Sequence, residues 1–110
     1  MLDLRLYLLQ RLSALVMAPL VLAHIVVMIV AIRGGLSAAE ILSRTQGSPG
    51  WALFYGTFVL AVSVHAAIGL RVILHETFAL RGTALALFTW GAGAGLLILG
   101  LRAVYAVVAP

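Results

Sequence analysis

Three long apolar stretches constrain the fold of this chain more than any other feature. They run from about residue 12 to 32, from 53 to 74 and from 83 to 108. Each reaches the roughly 20 residues that an α-helix needs to cross a bilayer. Because lipid offers no partners for backbone N–H and C=O groups, a spanning segment must satisfy them internally, which favours helices. We therefore predict an all-α fold, a three-helix transmembrane bundle, in one domain over residues 1–110.

The composition agrees with a lipid environment. Hydrophobic residues make up 65% of the chain and charged residues only 9%, against about 25% charged in soluble domains. All seven basic residues are arginines, and most of them flank the apolar stretches. This pattern is typical of membrane interfaces, so we expect the lipid bilayer, and no nucleic acid, as a partner. With no cysteine, the chain cannot form disulfides or ligate an iron–sulfur cluster itself.

The segments between the apolar stretches suggest how the helices end. Gly34 and Gly35 are a stop signal for the first helix, and residues 37–44 are compatible with a short interfacial helix. The first eleven residues resemble an amphipathic lead-in. On the third helix, Gly91 and Gly95 share a face and predict close helix packing. Four arginines on the N-terminal side against three on the other favour a cytoplasmic N-terminus.

Two histidines fall inside the predicted spans, His24 in the first and His65 in the second. An ionisable residue there is costly and indicates function by default, and neutral imidazole is the form that binds metals. Counting residues from the predicted helix ends places both rings in the middle third of the bilayer, about 6 Å apart along the normal. Gly69 and Ala61 share the face of His65, and such small residues let a flat group approach the helix.

These features fit a haem b ligand set. Arg71 follows His65 by six residues and can snorkel to the headgroups or hold an anionic group. A flat macrocycle with an iron that needs imidazole and carboxylates that need a cation matches this pattern. The alternative for either histidine is a hydrogen bond across helices to a serine or a carbonyl. His75 lies beside Glu76 at the interface, where a solvated histidine is the favoured interpretation.

Two segments resemble the cytochrome b membrane-anchor subunits of succinate dehydrogenase and fumarate reductase. In that family helix I opens with His-Arg-x-Ser/Thr-Gly, for which this chain has "QRLSA" at residues 10–14. The helix II pattern of the family, His-x-x-x-Gly-x-Arg followed by an acidic residue, is matched by "HAAIGLR" from His65 to Arg71 and by Glu76. Gln10 and Ala14 depart from the family's histidine and glycine, which affects the expected quinone site.

The resemblance implies specific ligands. His65 and His24 would be axial ligands to the iron of one or two haems b. Gly69 and Arg71 would also contact the haem, Arg71 through a propionate. Two further residues, Arg11 and Ser13, would help to line a quinone pocket at the membrane interface.

The resemblance also implies partners. A second three-helix membrane subunit, similar or identical, would complete a six-helix haem-binding membrane domain, docked to iron–sulfur and flavoprotein subunits in a bacterial-type cytoplasmic (inner) membrane. The chain would pass electrons between the iron–sulfur subunit and quinone and perform no dicarboxylate chemistry. Two alternatives stay open: a haem-free structural anchor and an unrelated small membrane transport protein.

Overall fold

The computed structural model describes residues 3–110, which are helical apart from short connections and contain no strand. The helices are α1 (Leu4–Gly34), α2 (Ala38–Thr45), α3 (Pro49–Phe78) and α4 (Gly82–Val108). Helices α1, α3 and α4 are long and apolar enough to cross a membrane. The longest dimension, 47 Å, is close to the roughly 40–45 Å of a bilayer with its headgroups. The prediction of an all-α bundle with three spans is confirmed.

The long helices extend beyond the apolar stretches. The side chain of Asp3 accepts a hydrogen bond from the backbone N–H of Leu6 at 2.9 Å and caps α1. From Leu4 onward, the expected lead-in is therefore part of α1; Met1 and Leu2 lie outside the described residues. Ser48 caps α3 in the same way, and Pro49 occupies its first turn. Hydropathy reports only the apolar part of a helix, whereas capping residues decide where it begins.

Helix α2 is held at both ends. At its start the Ser37 hydroxyl accepts from the backbone N–H of Glu40, and the Glu40 carboxylate accepts from the backbone N–H of Ser37 at 3.0 Å. At its end Thr45 Oγ1 donates to the carbonyl of Val107 at 2.6 Å. The short helix expected near residues 37–44 is present, and this last bond ties it to the end of α4.

The capping box predicts a pH-dependent α2. Hydrogen bonds from the backbone and then the side chain of Ser37 lower the pKa of Glu40. A carboxylate with a lowered folded-state pKa stabilises the helix above its unfolded pKa and loses that effect as pH falls through the folded value. We expect amide hydrogen exchange in α2 to accelerate, beyond the intrinsic pH effect, between neutral pH and about pH 3. Glu40→Gln should remove most of this excess acceleration; an unchanged profile in the variant would contradict the assignment.

Helix α3 lies in the middle of the bundle and contacts both α1 and α4. Its approach to α4 depends on two glycines. A Cβ added to Gly100 would overlap the side chain of Val59, and one added to Gly93 would lie 3.1 Å from Ala67 Cβ. At these two levels, the helices are close because α4 has no side chain there.

Among residues 3–110, Gly91 and Gly95 do not pack against the other helices of this chain, so their predicted role in close packing stays a prediction for the contact with a second subunit. A Cβ added at either position would meet no atom within 4 Å in the described part of the chain. Gly93 is two residues from each of them, and a step of two residues turns about 200° around a helix. The glycine face that contacts α3 is therefore nearly opposite to the face that carries Gly91 and Gly95.

Candidate functional site

His65 contacts α1 through one ring nitrogen. Its Nδ1 lies 3.2 Å from the hydroxyl oxygen of Ser13, a buried residue that is only 7% exposed. The same hydroxyl donates to the carbonyl of Gln10 at 2.9 Å, a back-bond that serines often form within helices. Among residues 3–110, the hydrogen bond of the His65 ring is made through Nδ1. The other ring nitrogen, Nε2, therefore remains for a ligand.

Gln10 and Gly69 complete this cluster. A Cβ added to Gly69 would lie 3.6 Å from Gln10 Nε2, so the glutamine amide covers the backbone one turn beyond His65. Gln10 Oε1 is buried without a hydrogen-bond partner in the described part of the chain. An unpaired buried acceptor is destabilising. Sequence reasoning treated Gln10 only as a departure from a family pattern, whereas the structure places it in the His65 cluster, which only tertiary contacts could reveal.

His24 lies in a different environment. Its ring packs edge-on against Tyr55 and Phe58 of α3, with ring centroids 5.9 and 5.3 Å away. Its Nδ1 is buried and has no hydrogen-bond partner within residues 3–110. Histidines that ligate metals usually donate their other ring N–H to a carbonyl, a carboxylate or water. Among residues 3–110, the Nδ1 of His65 has a hydrogen-bond neighbour in the hydroxyl of Ser13, and the Nδ1 of His24 has none.

The two histidines lie at clearly different depths. His65 contacts Ser13, and Ser13 is eleven residues before His24 on α1, a rise of about 16 Å. The estimate of about 6 Å made from sequence is therefore too small. It assumed an alignment of α1 along α3 that differs from the one that the contact of Ser13 with His65 sets. One iron cannot bind both rings, because its two axial nitrogens would be only about 4 Å apart.

The predicted quinone residues are not brought together. Ser13 is buried and faces His65, while Arg11 is exposed. Residues two apart on a helix point to different sides, so one chain does not direct both side chains at the same ligand. Arg11 stays at the outer surface of α1 near its N-terminal end.

Arg71 borders a cleft at the end of α3. Its rise from His65 is about 9 Å along the helix. The cleft measures about 220 Å³ and is also lined by His75, Glu76 and Arg81. His75 Nδ1 lies 3.1 Å from the carbonyl of Leu80; since a carbonyl only accepts, Nδ1 donates. His75 is therefore half-buried and holds the α3–α4 connection, rather than simply being solvated.

The fold and these half-buried imidazoles define an integral membrane protein with three spans and polar groups at two depths. The family described as succinate dehydrogenase/fumarate reductase transmembrane subunit matches residues 2–101, and the chain belongs to this family. No curated protein and no solved structure matches it. The family match reaches well into α4, where the sequence motifs quoted above do not extend. It also sets aside the alternative of an unrelated transport protein.

Proposed function

We propose that this chain is a cytochrome b membrane anchor of a succinate:quinone oxidoreductase or fumarate reductase complex. It binds haem b through His65 and helps to pass electrons between an iron–sulfur subunit and quinone. The observation that carries the proposal is the contact of His65 Nδ1 with Ser13, which leaves Nε2 for the iron. Bound haem supplies one-electron redox chemistry; the residues of the chain position it and keep it in an apolar surrounding.

The residues near His65 fit a haem. The imidazole has one nitrogen engaged and one remaining, which is the usual arrangement of a ligating histidine. Gly69, one turn away, has no side chain of its own, so only the Gln10 amide, which lies over it, would have to move for a haem to contact the helix there. Arg71, on the same helix and closer to the membrane surface, supplies a cation for a propionate. His24 is the proposed ligand of a second haem and has the weaker support, because its Nδ1 lacks a hydrogen-bond partner among residues 3–110.

The separation of the histidines supports a second membrane subunit. If each iron takes two histidines, the second must come from another chain, because His24 and His65 are about 16 Å apart along α1. We propose a similar or identical three-helix subunit, giving a six-helix domain. An iron–sulfur subunit and a flavoprotein subunit would dock on the side of the N-terminus. By the arginine distribution this is the cytoplasmic side of a bacterial-type inner membrane.

The quinone pocket is proposed at the same side of the membrane. The Ser13 hydroxyl already donates to Gln10 and contacts His65, so Arg11 is the better placed of the two predicted residues to face a quinone headgroup. Because Arg11 lies at the outer surface of α1, the remainder of the pocket would come from partner subunits.

Haem content tests the proposal directly. We expect the detergent-purified complex to show sharp b-type bands in a reduced-minus-oxidised spectrum and to release one or two haems b per copy of this chain and its partner subunit on extraction. A fully assembled complex without haem would overturn the cytochrome assignment. The chain would then be a haem-free structural anchor, which is the alternative that the substituted Gln10 and Ala14 leave open.

A further inference from the structure

We infer that Ser13 is a positioning residue that fixes the protonation and orientation of His65, and not a quinone ligand. The inference about the proton rests on hydrogen bonds within this chain alone. Its consequence for a bound haem rests on the proposed function. The two parts are therefore tested separately.

Counting protons assigns the tautomer of His65. The Ser13 hydroxyl has one hydrogen, and the Gln10 carbonyl, which can only accept, receives it at 2.9 Å. The contact of 3.2 Å between the same oxygen and His65 Nδ1 is then a hydrogen bond only if Nδ1 donates. Neutral imidazole carries one N–H, so Nε2 has the free lone pair. This is the tautomer that can ligate a metal through Nε2 without first moving a proton.

Burial makes this arrangement persistent. Ser13 is 7% exposed, so little water competes for its hydroxyl. Because it donates to one carbonyl while it accepts from the ring, the two bonds polarise each other and strengthen the acceptor. An acceptor at Nδ1–H also fixes the orientation of the ring and raises the basicity of Nε2. Together these effects prepare His65 as a ligand before haem is bound.

Ser63 provides a matched control on the neighbouring helix. It is also buried, at 5% exposed, and its hydroxyl also back-bonds within its own helix, to Val59 at 2.7 Å. Among residues 3–110 it makes no hydrogen bond with a histidine. Ser63→Ala therefore removes a buried, back-bonded hydroxyl without removing the contact to His65.

Nitrogen-15 NMR of histidine-labelled full-length chain, prepared without haem in detergent micelles, tests the tautomer. We expect His65 to carry its proton on Nδ1, as His75 must because Nδ1 donates to the Leu80 carbonyl; His75 is thus an internal reference. Signals are assigned by single substitutions of each histidine. A proton on Nε2 of His65 would overturn the inference. This result does not depend on whether the complex binds haem.

Haem retention and potential in the purified complex test the consequence. For Ser13→Ala we expect 10- to 100-fold weaker haem binding, the usual effect of losing such a partner. We also expect a higher reduction potential of the His65 haem, because a less basic ligand stabilises the ferric form less. Ser13→Thr, which keeps the hydroxyl, should restore most of both properties, and Ser63→Ala should change neither.

The outcomes separate the two proposals. A haem-free wild-type complex would contradict the proposed function, while the NMR result would still decide the tautomer. A wild-type complex with haem whose affinity and potential are the same in Ser13→Ala would overturn the role of Ser13. If Ser13→Ala fails to assemble, the tautomer in the wild-type chain decides the inference. A loss of quinone reduction in Ser13→Ala with an unchanged haem would return Ser13 to the quinone pocket.

Discussion

Replacing His65 with alanine should remove the b-type haem that this residue ligates from an otherwise assembled complex. The iron would lose an axial nitrogen in an apolar surrounding, and the nearby hydroxyl of Ser13 already donates to Gln10 and is a poor substitute. No other histidine of this chain lies within reach, since His24 is about 16 Å away along α1. The expected result is loss of the corresponding bands in the reduced-minus-oxidised spectrum, with a matching loss of extractable haem.

Two further histidine variants serve as controls for this prediction. His75→Ala removes an imidazole that donates to the Leu80 carbonyl and should leave the haem spectrum unchanged. His24→Ala should leave the His65 bands unchanged because of the separation in depth. Any bands that His24→Ala does remove would belong to a second haem.

One outcome would contradict the assignment of His65. If His65→Ala retained full haem content while the other subunits remained bound, His65 would be the cross-helix hydrogen-bonding histidine that sequence considerations left open. Its contact with Ser13 would then be its whole function. Subunit composition has to be measured in the same preparation, because haem can also be lost through failed assembly.

The helices could be predicted from the sequence because hydropathy and length decide membrane spans. Their exact starts could not, because they depend on single capping side chains such as Asp3 and Ser48. The glycines that contact α3 could not be predicted either. Gly91 and Gly95 have the spacing of a packing motif, but spacing does not say which side of the helix faces a neighbour. The glycines that face α3 are Gly93 and Gly100.

Within the candidate site, the identities of His24, His65 and Arg71 could be predicted, because ionisable residues in apolar stretches are conspicuous. Their mutual geometry could not. The contact between Ser13 and His65 and the burial of Gln10 Oε1 have no signal in the local sequence. Both depend on how α1 is aligned along α3. The error in the depth of the two histidines has the same origin.

Replacing Gly100 with leucine should destabilise the packing of α3 against α4 far more than the same substitution at Gly91. Even a Cβ at this position overlaps the side chain of Val59. The overlap is hard to relieve, because both groups are attached close to the backbones of two packed helices. Overpacking of this kind costs about 3 kcal/mol at the upper end of its usual range. We expect a clearly lower thermal unfolding midpoint for the detergent-purified complex, with loss of haem at lower temperature.

Gly91→Leu is the matched control, because it makes the same substitution on the same helix where a Cβ meets no atom within 4 Å. Leucine is a better helix former than glycine, by somewhat less than the ~0.8–1 kcal/mol that separates glycine from alanine, so this variant should be neutral or slightly more stable unless a partner chain packs there. A double variant tests whether overlap with Val59 causes the destabilisation. Val59→Ala destabilises on its own, but combined with Gly100→Leu it should recover part of the lost thermal stability, because the overlapping side chain is smaller. No recovery in the double variant would mean that α4 does not contact α3 through Gly100, whereas a loss in Gly91→Leu that Val59→Ala does not relieve would indicate that a partner chain packs at Gly91. Since α3 also carries His65, a shift of α4 that leaves the haem spectrum intact would show that α1 and α3 alone hold the ligand in place.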